Sequence, residues 1–157
     1  MSDMKLPGRL GDPATTLATD ERLDPRIIEA LTATGALQSV PSPVTAASSY
    51  EECLEFCGMF ESVNAQAHSV MLAAMPEFTD VSSTQETITG VDGNDITLYI
   101  DQPATRAADL PCVVHTHGGG MVLMTAEDPG FVRWRKSLAE QGMVVVGVEF
   151  RNGGGAL

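Results

Sequence analysis

The spacing of apolar residues changes near residue 78, and the change separates a helical part of the chain from a strand-rich part. Before that point apolar residues recur at steps of three and four, which is the period of a helix that faces a core. A first helix is predicted over residues 24–37, because Asp24 can cap its N-terminus and Pro25 suits its first turn. Residues 1–19 are rich in glycine, proline, threonine and alanine, which indicates a loose arm.

A second, longer helix is predicted over residues 49–74. Ser49 and Glu52 have the spacing of a capping box, and Pro76 ends the helical pattern. Seven apolar or small residues recur along this helix and are predicted to face the core: Leu54, Cys57, Val63, Ala67, Val70, Met71 and Ala74. Four acidic residues are predicted to form its solvated face: Glu51, Glu52, Glu55 and Glu61.

The following segment is predicted to form an antiparallel hairpin. Residues 81–89 are polar and threonine-rich, which favours an edge strand, and residues 91–95 carry turn-forming side chains. From 95 to 101 apolar residues alternate with polar ones, as expected of a half-buried strand. The apolar set of this strand is Ile96, Leu98 and Ile100.

A strand–helix–strand unit is predicted next. The segment 110–117 is short, apolar and β-branched, which favours a buried strand. Asp128 can cap a helix that Gly142 stops, and Trp134 is predicted to anchor that helix in the core. A final strand is predicted over 143–150, so that the two strands lie parallel with a right-handed crossover between them.

Composition and charge narrow the classes of function. The chain has 157 residues with 9 Lys and Arg against 21 Asp and Glu, a formal charge of -12. This charge argues against nucleic acid and against anionic membrane surfaces, since both require clustered positive charge. No apolar run approaches the ~20 residues that span a bilayer, and no secretory signal pattern is present, so a cytoplasmic location is expected. The three cysteines, Cys53, Cys57 and Cys112, are expected to be free thiols.

The most informative segment is the loop His117-Gly118-Gly119-Gly120, which directly follows the predicted strand. Ester hydrolysis passes through a tetrahedral intermediate whose oxygen is an anion, and backbone N–H groups aimed at that oxygen stabilise it. Glycine suits this task because it accepts unusual backbone angles and leaves room for a substrate. A loop of this type forms part of the oxyanion hole of lipases and esterases.

The glycine loop has two other possible interpretations. Three glycines can simply form a tight turn after a strand. A phosphate-binding loop is the second alternative, but it requires a helix N-terminus immediately after the glycines. Here six residues, 121–126, and then the acidic pair Glu127 and Asp128 separate the loop from the predicted helix.

Three segments together resemble the bacterial hormone-sensitive-lipase-like esterases, a family of α/β hydrolases. They are the strand and loop at 113–121, the helix that carries Trp134, and the strand and its continuation at 144–151. The resemblance is specific over residues 80–152 and limited to the overall pattern over residues 20–75. It implies an α/β fold, namely the N-terminal portion of an α/β-hydrolase sheet with an antiparallel hairpin and a parallel βαβ unit.

The resemblance also implies the roles of the loop residues. The N–H groups of Gly119 and Gly120 would be the oxyanion-hole donors, while Gly118 and His117 would support the loop. His117 would hold the loop through hydrogen bonds and would not act as a base. The implied reaction is serine-dependent hydrolysis of a small-molecule ester through an acyl-enzyme, with no cofactor and no metal.

By this resemblance the chain would form only part of the family fold. Residues 1–78 would form an arm and helical cap segments, and residues 79–157 the N-terminal half of the hydrolase core. The family sheet begins in the order 1-2-4-3, so that the strand at 112–116 would have an open edge. An open apolar edge invites pairing, and we therefore expect a second chain or a C-terminal piece to complete the sheet. Assembly of identical copies is a further possibility.

The catalytic triad is not found in the sequence. No serine lies in the pattern Gly-x-Ser-x-Gly, and in this fold the acid and the histidine follow the serine along the chain. All three residues are therefore expected after Leu157, and the chain alone is expected to be inactive. The segment from Phe150 reads FRNGGGAL where the family has Tyr-Arg-Leu-Ala-Pro-Glu or a variant. The alternative function is that of a catalytically dead hydrolase remnant that serves as a binding or scaffold module.

Two candidate metal sites are also considered. Cys53 and Cys57 lie four residues apart on a helix with His68 beyond them, and His115 and His117 share one face of a strand. Neither group has the further ligands that a zinc site requires. Small residues buried in a core are the favoured interpretation of the two cysteines.

Overall fold

The computed structural model describes residues 15–33, 35, 37, 41–105 and 109–154. The chain forms two compact units, Met1–Pro43 and Val44–Leu157. No helix in those ranges is both long enough and apolar enough to cross a bilayer.

The first unit contains a 3-10 turn, Leu17–Thr19, and helix α1, Pro25–Ala33. The predicted first helix is therefore confirmed at its start and shorter than expected at its end. Gly35 has a φ of +72°, a left-handed conformation that does not continue an α-helix. The first fourteen residues of the predicted arm lie outside the described residues.

The second unit contains two helices and four strands. In chain order they are α2 (Tyr50–Ala73), β1 (Val81–Thr89), β2 (Asp95–Pro103), β3 (Cys112–Thr116), α3 (Pro129–Glu140) and β4 (Val144–Val148). All six elements were predicted, with β3 and β4 shorter than expected at both ends. Both predicted helix starts carry their predicted caps, because Ser49 accepts the N–H of Glu52 and Asp128 accepts that of Gly130.

The four strands form one mixed sheet in the order β1-β2-β4-β3. Strand β1 pairs antiparallel with β2, which confirms the hairpin, and β3 pairs parallel with β4, which confirms the βαβ unit. Strand β2 pairs antiparallel with β4 and so joins the hairpin to that unit. Among the described residues β3 pairs with β4 only, so its outer edge is open, as the strand order implies.

Helix α3 covers one face of this sheet, and a buried ion pair holds it there. Arg135 and Asp101 are each 2% exposed, and the Nε of Arg135 donates to Oδ2 of Asp101 over 2.8 Å. Ser83 donates its hydroxyl to the other carboxylate oxygen over 2.5 Å. A Cβ at Gly147 would lie 2.9 Å from the guanidinium, so glycine leaves the space that Arg135 fills.

Strand β2 is half-buried, as predicted, with one exception. Asp101, on the polar side that lies under α3, is buried, whereas Thr97 and Tyr99 on that side are half-buried. Leu98 and Ile100 lie on the opposite side and are also half-buried. The reason is that Asp101 has a partner in Arg135, while no helix of the described part packs on the apolar side.

Strand β3 and helix α2 are less buried than predicted. Val114 of β3 is 67% exposed, since it points to the uncovered face of the sheet. On α2, three residues of the predicted core stripe are 57–71% exposed: Val63, Val70 and Met71. Of the predicted stripe, Cys57 is buried and Leu54 is half-buried, as expected. Further along the same side, α2 carries polar residues whose contacts belong to the site described next.

Candidate active site

The glycine loop follows β3 directly and has an unusual backbone. Gly119 has a φ of +118° and Gly120 a φ of +66°, and Met121 continues with +61°. Three successive residues with positive φ turn the chain sharply away from the sheet. The loop therefore lies at the carboxyl end of β3, the edge where ligands bind in open α/β sheets.

Steric contacts explain why position 119 must be glycine. A Cβ on Gly119 would lie 2.0 Å from the carbonyl oxygen of Leu123. The N–H groups of Val122 and Leu123 both donate to the carbonyl of Gly119, over 3.2 and 3.0 Å. At Gly120, by contrast, a Cβ would meet no atom within 4 Å, so this part of the loop borders open space.

The N–H groups of Gly119 and Gly120 remain available. Neither donates to any acceptor within the residues that the structure describes, although the carbonyl of Gly119 is engaged twice. Both glycines retain contact with solvent. An N–H that is free of internal bonds and accessible can donate to a bound ligand.

His117 is buried and is hydrogen-bonded to the backbone of the loop. Its side chain is 0% exposed, and its Nδ1 lies 2.8 Å from the carbonyl oxygen of Gly118. Because a carbonyl only accepts, Nδ1 carries the hydrogen of this bond. The ring stacks on Phe150 at a centroid distance of 4.2 Å and an angle of 11°, and its Nε2 lies 3.7 Å from Oε1 of Glu149.

Glu149 fixes the segment that follows the glycines. Its Oε2 accepts the N–H of Ala126 over 2.8 Å, and the carbonyl of Ala126 accepts from Arg135 over 2.6 Å. Ala126 is fully buried, and Glu149 is 9% exposed. Glu149 is thus hydrogen-bonded to the segment after the glycines, and this network continues through Ala126 to Arg135 of the buried ion pair under α3.

The residues after β4 line the other side of the loop. Gly153 and Gly154 donate their N–H groups to the carbonyls of Met121 and Val122, over 2.8 and 2.9 Å. A Cβ at Gly154 would lie 2.3 Å from the carbonyl oxygen of Val122. Glycine at this position therefore allows the two segments to run side by side.

Three polar residues of α2 reach the same region. Glu61 accepts the N–H of Met124 over 2.6 Å. His68 lies 2.9 Å from Oδ1 of Asp128, and Asn64 donates to Oδ2 of that carboxylate over 3.3 Å. The assignment of Glu61 to a solvated face was therefore wrong, because this carboxylate is the acceptor for a loop amide.

His115 lies on the same face of β3 as His117 but has a different role. Its ring packs against Phe131 and Trp134 at centroid distances of 5.5 and 4.8 Å. Burial lowers the pKa of His115 below its usual value, and the charges of Arg135 and His117 lower it further. Trp134 is 45% exposed, so it covers His115 from outside and is not the core anchor that was predicted.

The structure also bears on the metal and phosphate alternatives. No group of three side chains within the described ranges could hold a metal ion. All three cysteines are free thiols, as expected. At the start of α3 the carboxylate of Asp128 already accepts the N–H of Gly130, so the helix N-terminus that a phosphate would use holds an internal anion.

Sequence reasoning missed four residues that hold this site in place: Glu61, Asp101, Arg135 and Asn152. Asp101 carried no clear signal, since it lies in the polar set of a strand in which polar and apolar residues alternate. Glu61 carried none, because its acceptor role depends on a backbone group 63 residues away. Asn152, which donates to the carbonyl of Met124 over 2.9 Å, lay in a segment whose role was left open.

The sheet order, the crossover helix and the glycine loop define the N-terminal portion of an α/β hydrolase. Brefeldin A esterase, a bacterial homologue of human hormone-sensitive lipase, has this fold with a TM-score of 0.81 and 38% identity, over 95% of this chain and 42% of that one. The chain belongs to this family of bacterial hormone-sensitive-lipase-like esterases. No protein-family profile and no curated protein sequence matches it.

Two further solved structures agree with this assignment. Esterase Est22 is 27% identical with a TM-score of 0.67, over 86% of this chain and 40% of its own. The esterase from the archaeon Pyrobaculum calidifontis is 30% identical with a TM-score of 0.54, over 83% of this chain and 37% of its own. The chain thus spans about two fifths of the length of the esterases it resembles.

Proposed function

We propose that this chain supplies the oxyanion hole of a serine carboxylesterase, with the N–H groups of Gly119 and Gly120 as its donors. In ester hydrolysis a serine attacks the carbonyl carbon, and the carbonyl oxygen becomes an anion. Two N–H donors fixed at that oxygen stabilise the anionic intermediate more than the neutral ester. His117 and Gly118 hold the loop in position and do not contact the substrate.

The observation that carries the proposal is the hydrogen-bonding state of the loop. The carbonyl of Gly119 accepts two bonds, while the N–H groups of Gly119 and Gly120 have no acceptor in the described part of the chain. A loop that served only to turn the chain would not require two adjacent unpaired donors. The open space beside Gly120 leaves room for a substrate carbonyl.

The nucleophile, the acid and the histidine belong, in this proposal, to a C-terminal part or to a second chain. The sequence contains no Gly-x-Ser-x-Gly, and the related esterases are more than twice as long. The open edge of β3 offers a place for a further strand. A strand that paired there in parallel would bring its own carboxyl end beside Gly119 and Gly120.

The substrate class that fits this site is a small neutral ester. An oxyanion hole made of backbone amides recognises the reacting carbonyl and not the rest of the molecule. The helical segment α2, which contacts the loop through Glu61, would form part of the cap over the acyl group.

The experiment is a hydrolysis assay with p-nitrophenyl acetate. The chain alone, the polypeptide that carries Gly-x-Ser-x-Gly alone, and the two together are compared, with and without a serine-directed phosphonate. We expect phosphonate-sensitive hydrolysis only from the combination. Activity of this chain alone would contradict the proposed location of the triad. A stable combination that does not hydrolyse esters would favour a non-catalytic binding module.

A further inference from the structure

We propose that Glu61 of α2 is a positioning residue for the glycine loop, an inference that rests on the proposed function. Its Oε1 accepts the N–H of Met124 over 2.6 Å, which joins a helix outside the sheet to the loop that follows the glycines. Charge-assisted bonds of this kind are stronger than bonds between neutral groups. Glu61 is partly shielded from solvent, which strengthens the bond further.

Met124 requires such support because its backbone is strained. It has a φ of +70°, in the left-handed region that residues with a side chain rarely adopt. Its N–H is bound by Glu61, and its carbonyl accepts from Asn152 over 2.9 Å. A residue keeps a strained conformation when several contacts hold it there. Here the side chain of Glu61 on α2 and that of Asn152 after β4 do so.

Met124 is linked to Gly119 through Leu123, which precedes Met124 in the chain and contacts Gly119. The N–H of Leu123 donates to the carbonyl of Gly119 over 3.0 Å. The carbonyl oxygen of Leu123 occupies the space where Gly119 would carry a Cβ. If Met124 relaxes, Leu123 rotates with it, and the peptide planes that orient the Gly119 and Gly120 amides shift as well.

The other contacts of α2 do not have this effect. Glu61, Asn64 and His68 share one side of the helix because they are three and four residues apart. Asn64 and His68 both end at Asp128, the cap of α3, whereas Glu61 is bonded within the loop. Removal of Asn64 therefore weakens the docking of α2 and leaves the loop amide of Met124 bonded.

The test compares four variants. Glu61→Ala removes the acceptor, and Glu61→Gln restores a neutral acceptor of the same length. Asn64→Ala controls for the docking of α2, and Glu55→Ala controls for the loss of an exposed carboxylate on the same helix. Amide hydrogen exchange at Met124 is measured by NMR on this chain, and kcat and KM are measured on the combination that hydrolyses esters.

We expect exchange at Met124 to accelerate at least tenfold in Glu61→Ala. We expect kcat to fall on the order of tenfold with little change in KM, because misplaced catalytic groups slow the chemical step. Glu61→Gln should recover most of both effects, and the two controls should stay near wild type. An unchanged kcat in Glu61→Ala, or an equal loss in Asn64→Ala, would overturn the proposal.

The proposed function and the positioning role of Glu61 can fail separately. If the combination shows no phosphonate-sensitive hydrolysis, the proposed function fails, and the catalytic role of Glu61 fails with it. The exchange data still show in that case whether Glu61 holds Met124. If hydrolysis is present and exchange at Met124 does not depend on Glu61, only the positioning role is wrong.

Discussion

The two faces of the sheet are built in opposite ways. The face under α3 buries charged and polar groups, among them Asp101, Arg135 and His117. Each of these three side chains makes a hydrogen bond, although Nε2 of His117 has no hydrogen-bond partner in the described part of the chain. The other face carries valine, isoleucine and leucine, yet Val114 is 67% exposed and its neighbours are half-buried. Polar groups are thus buried where apolar ones would be expected, and apolar groups are left uncovered.

The two faces differ in whether their groups find partners or cover within the described part of the chain. A buried charge is tolerated only with a partner and hydrogen bonds, and the α3 face contains both partners of each pair. A β-branched apolar face is normally covered, and no element of the described part covers this one. The face that carries the glycine loop is therefore covered by α3, and the opposite face is uncovered within the described part of the chain.

The largest effect is expected from breaking the ion pair under α3. Arg135→Met leaves the carboxylate of Asp101 buried without its partner, which costs about 3–5 kcal/mol of unfolding free energy. Urea unfolding followed by circular dichroism measures this loss. Arg151→Met, which breaks the exposed pair with Asp92, is the matched control and should change the midpoint far less.

A double variant tests whether the loss comes from the unpaired charge of Asp101. Arg135→Met combined with Asp101→Leu removes both charges, and it should recover much of the lost stability. If Arg135→Met alone unfolds at the wild-type urea concentration, the α3 face does not depend on its ion pair.

The second prediction concerns the two glycines. In Gly119→Ala the new methyl group collides with the carbonyl of Leu123, so the loop must move and the donor with it. We expect kcat of the assembled esterase to fall about 100- to 1,000-fold, as for loss of an oxyanion-hole donor. Gly120→Ala meets no atom within 4 Å and suffers only backbone strain of about 1–2 kcal/mol, so its effect should be smaller. Equal activities of the two variants would contradict the steric argument.

The third prediction tests the uncovered face. Val114→Thr should change the stability of this chain by less than about 0.5 kcal/mol, because the side chain is exposed. In the assembled esterase the hydroxyl would be buried, which costs about 1–3 kcal/mol and weakens association roughly tenfold. Val91→Thr, in the turn before β2, should affect neither measurement. An unaffected dissociation constant for Val114→Thr would mean that nothing docks on this face.

The smallest predicted effect is a pH dependence of stability. The pKa of His115 is lowered in the folded protein, so below about pH 6.5, the usual value, the unfolded chain binds more protons than the folded one. Stability should therefore fall as the pH drops through 6.5, and it should stop falling below the lowered pKa. His115→Phe keeps a ring against Phe131 and should flatten this part of the urea-midpoint curve. An unchanged slope would show that other groups cause it.

Much of the fold could be predicted from local signals. The capping pair at Ser49, the Asp128-Pro129 start and the period-two strands depend on neighbours within a few residues, and each was confirmed. The order of the sheet followed from the family resemblance. The roles of His117, Gly118, Gly119 and Gly120, the location of the missing triad, the cellular location and the oligomeric state stay predictions.

The orientation of α2 could not be predicted, for a physical reason. Its apolar residues occur all around the helix, so two stripes with helical spacing compete for the inner side. Glu61, Asn64 and His68 face inward because Met124 and Asp128 offer them partners about 60 residues away. The burial of Asp101 on β2 could not be predicted for the same reason, since its partner Arg135 lies on α3, distant in the sequence.

The central claim is that the amides of Gly119 and Gly120 bind the oxygen that becomes negative when an ester is attacked. The most direct measurement is an NMR titration of the assembled esterase, with this chain labelled with nitrogen-15, using a trifluoromethyl ketone that forms a stable tetrahedral adduct with the serine. We predict that both amide protons shift strongly downfield on adduct formation. If the adduct forms while both resonances stay unchanged, the claim is contradicted.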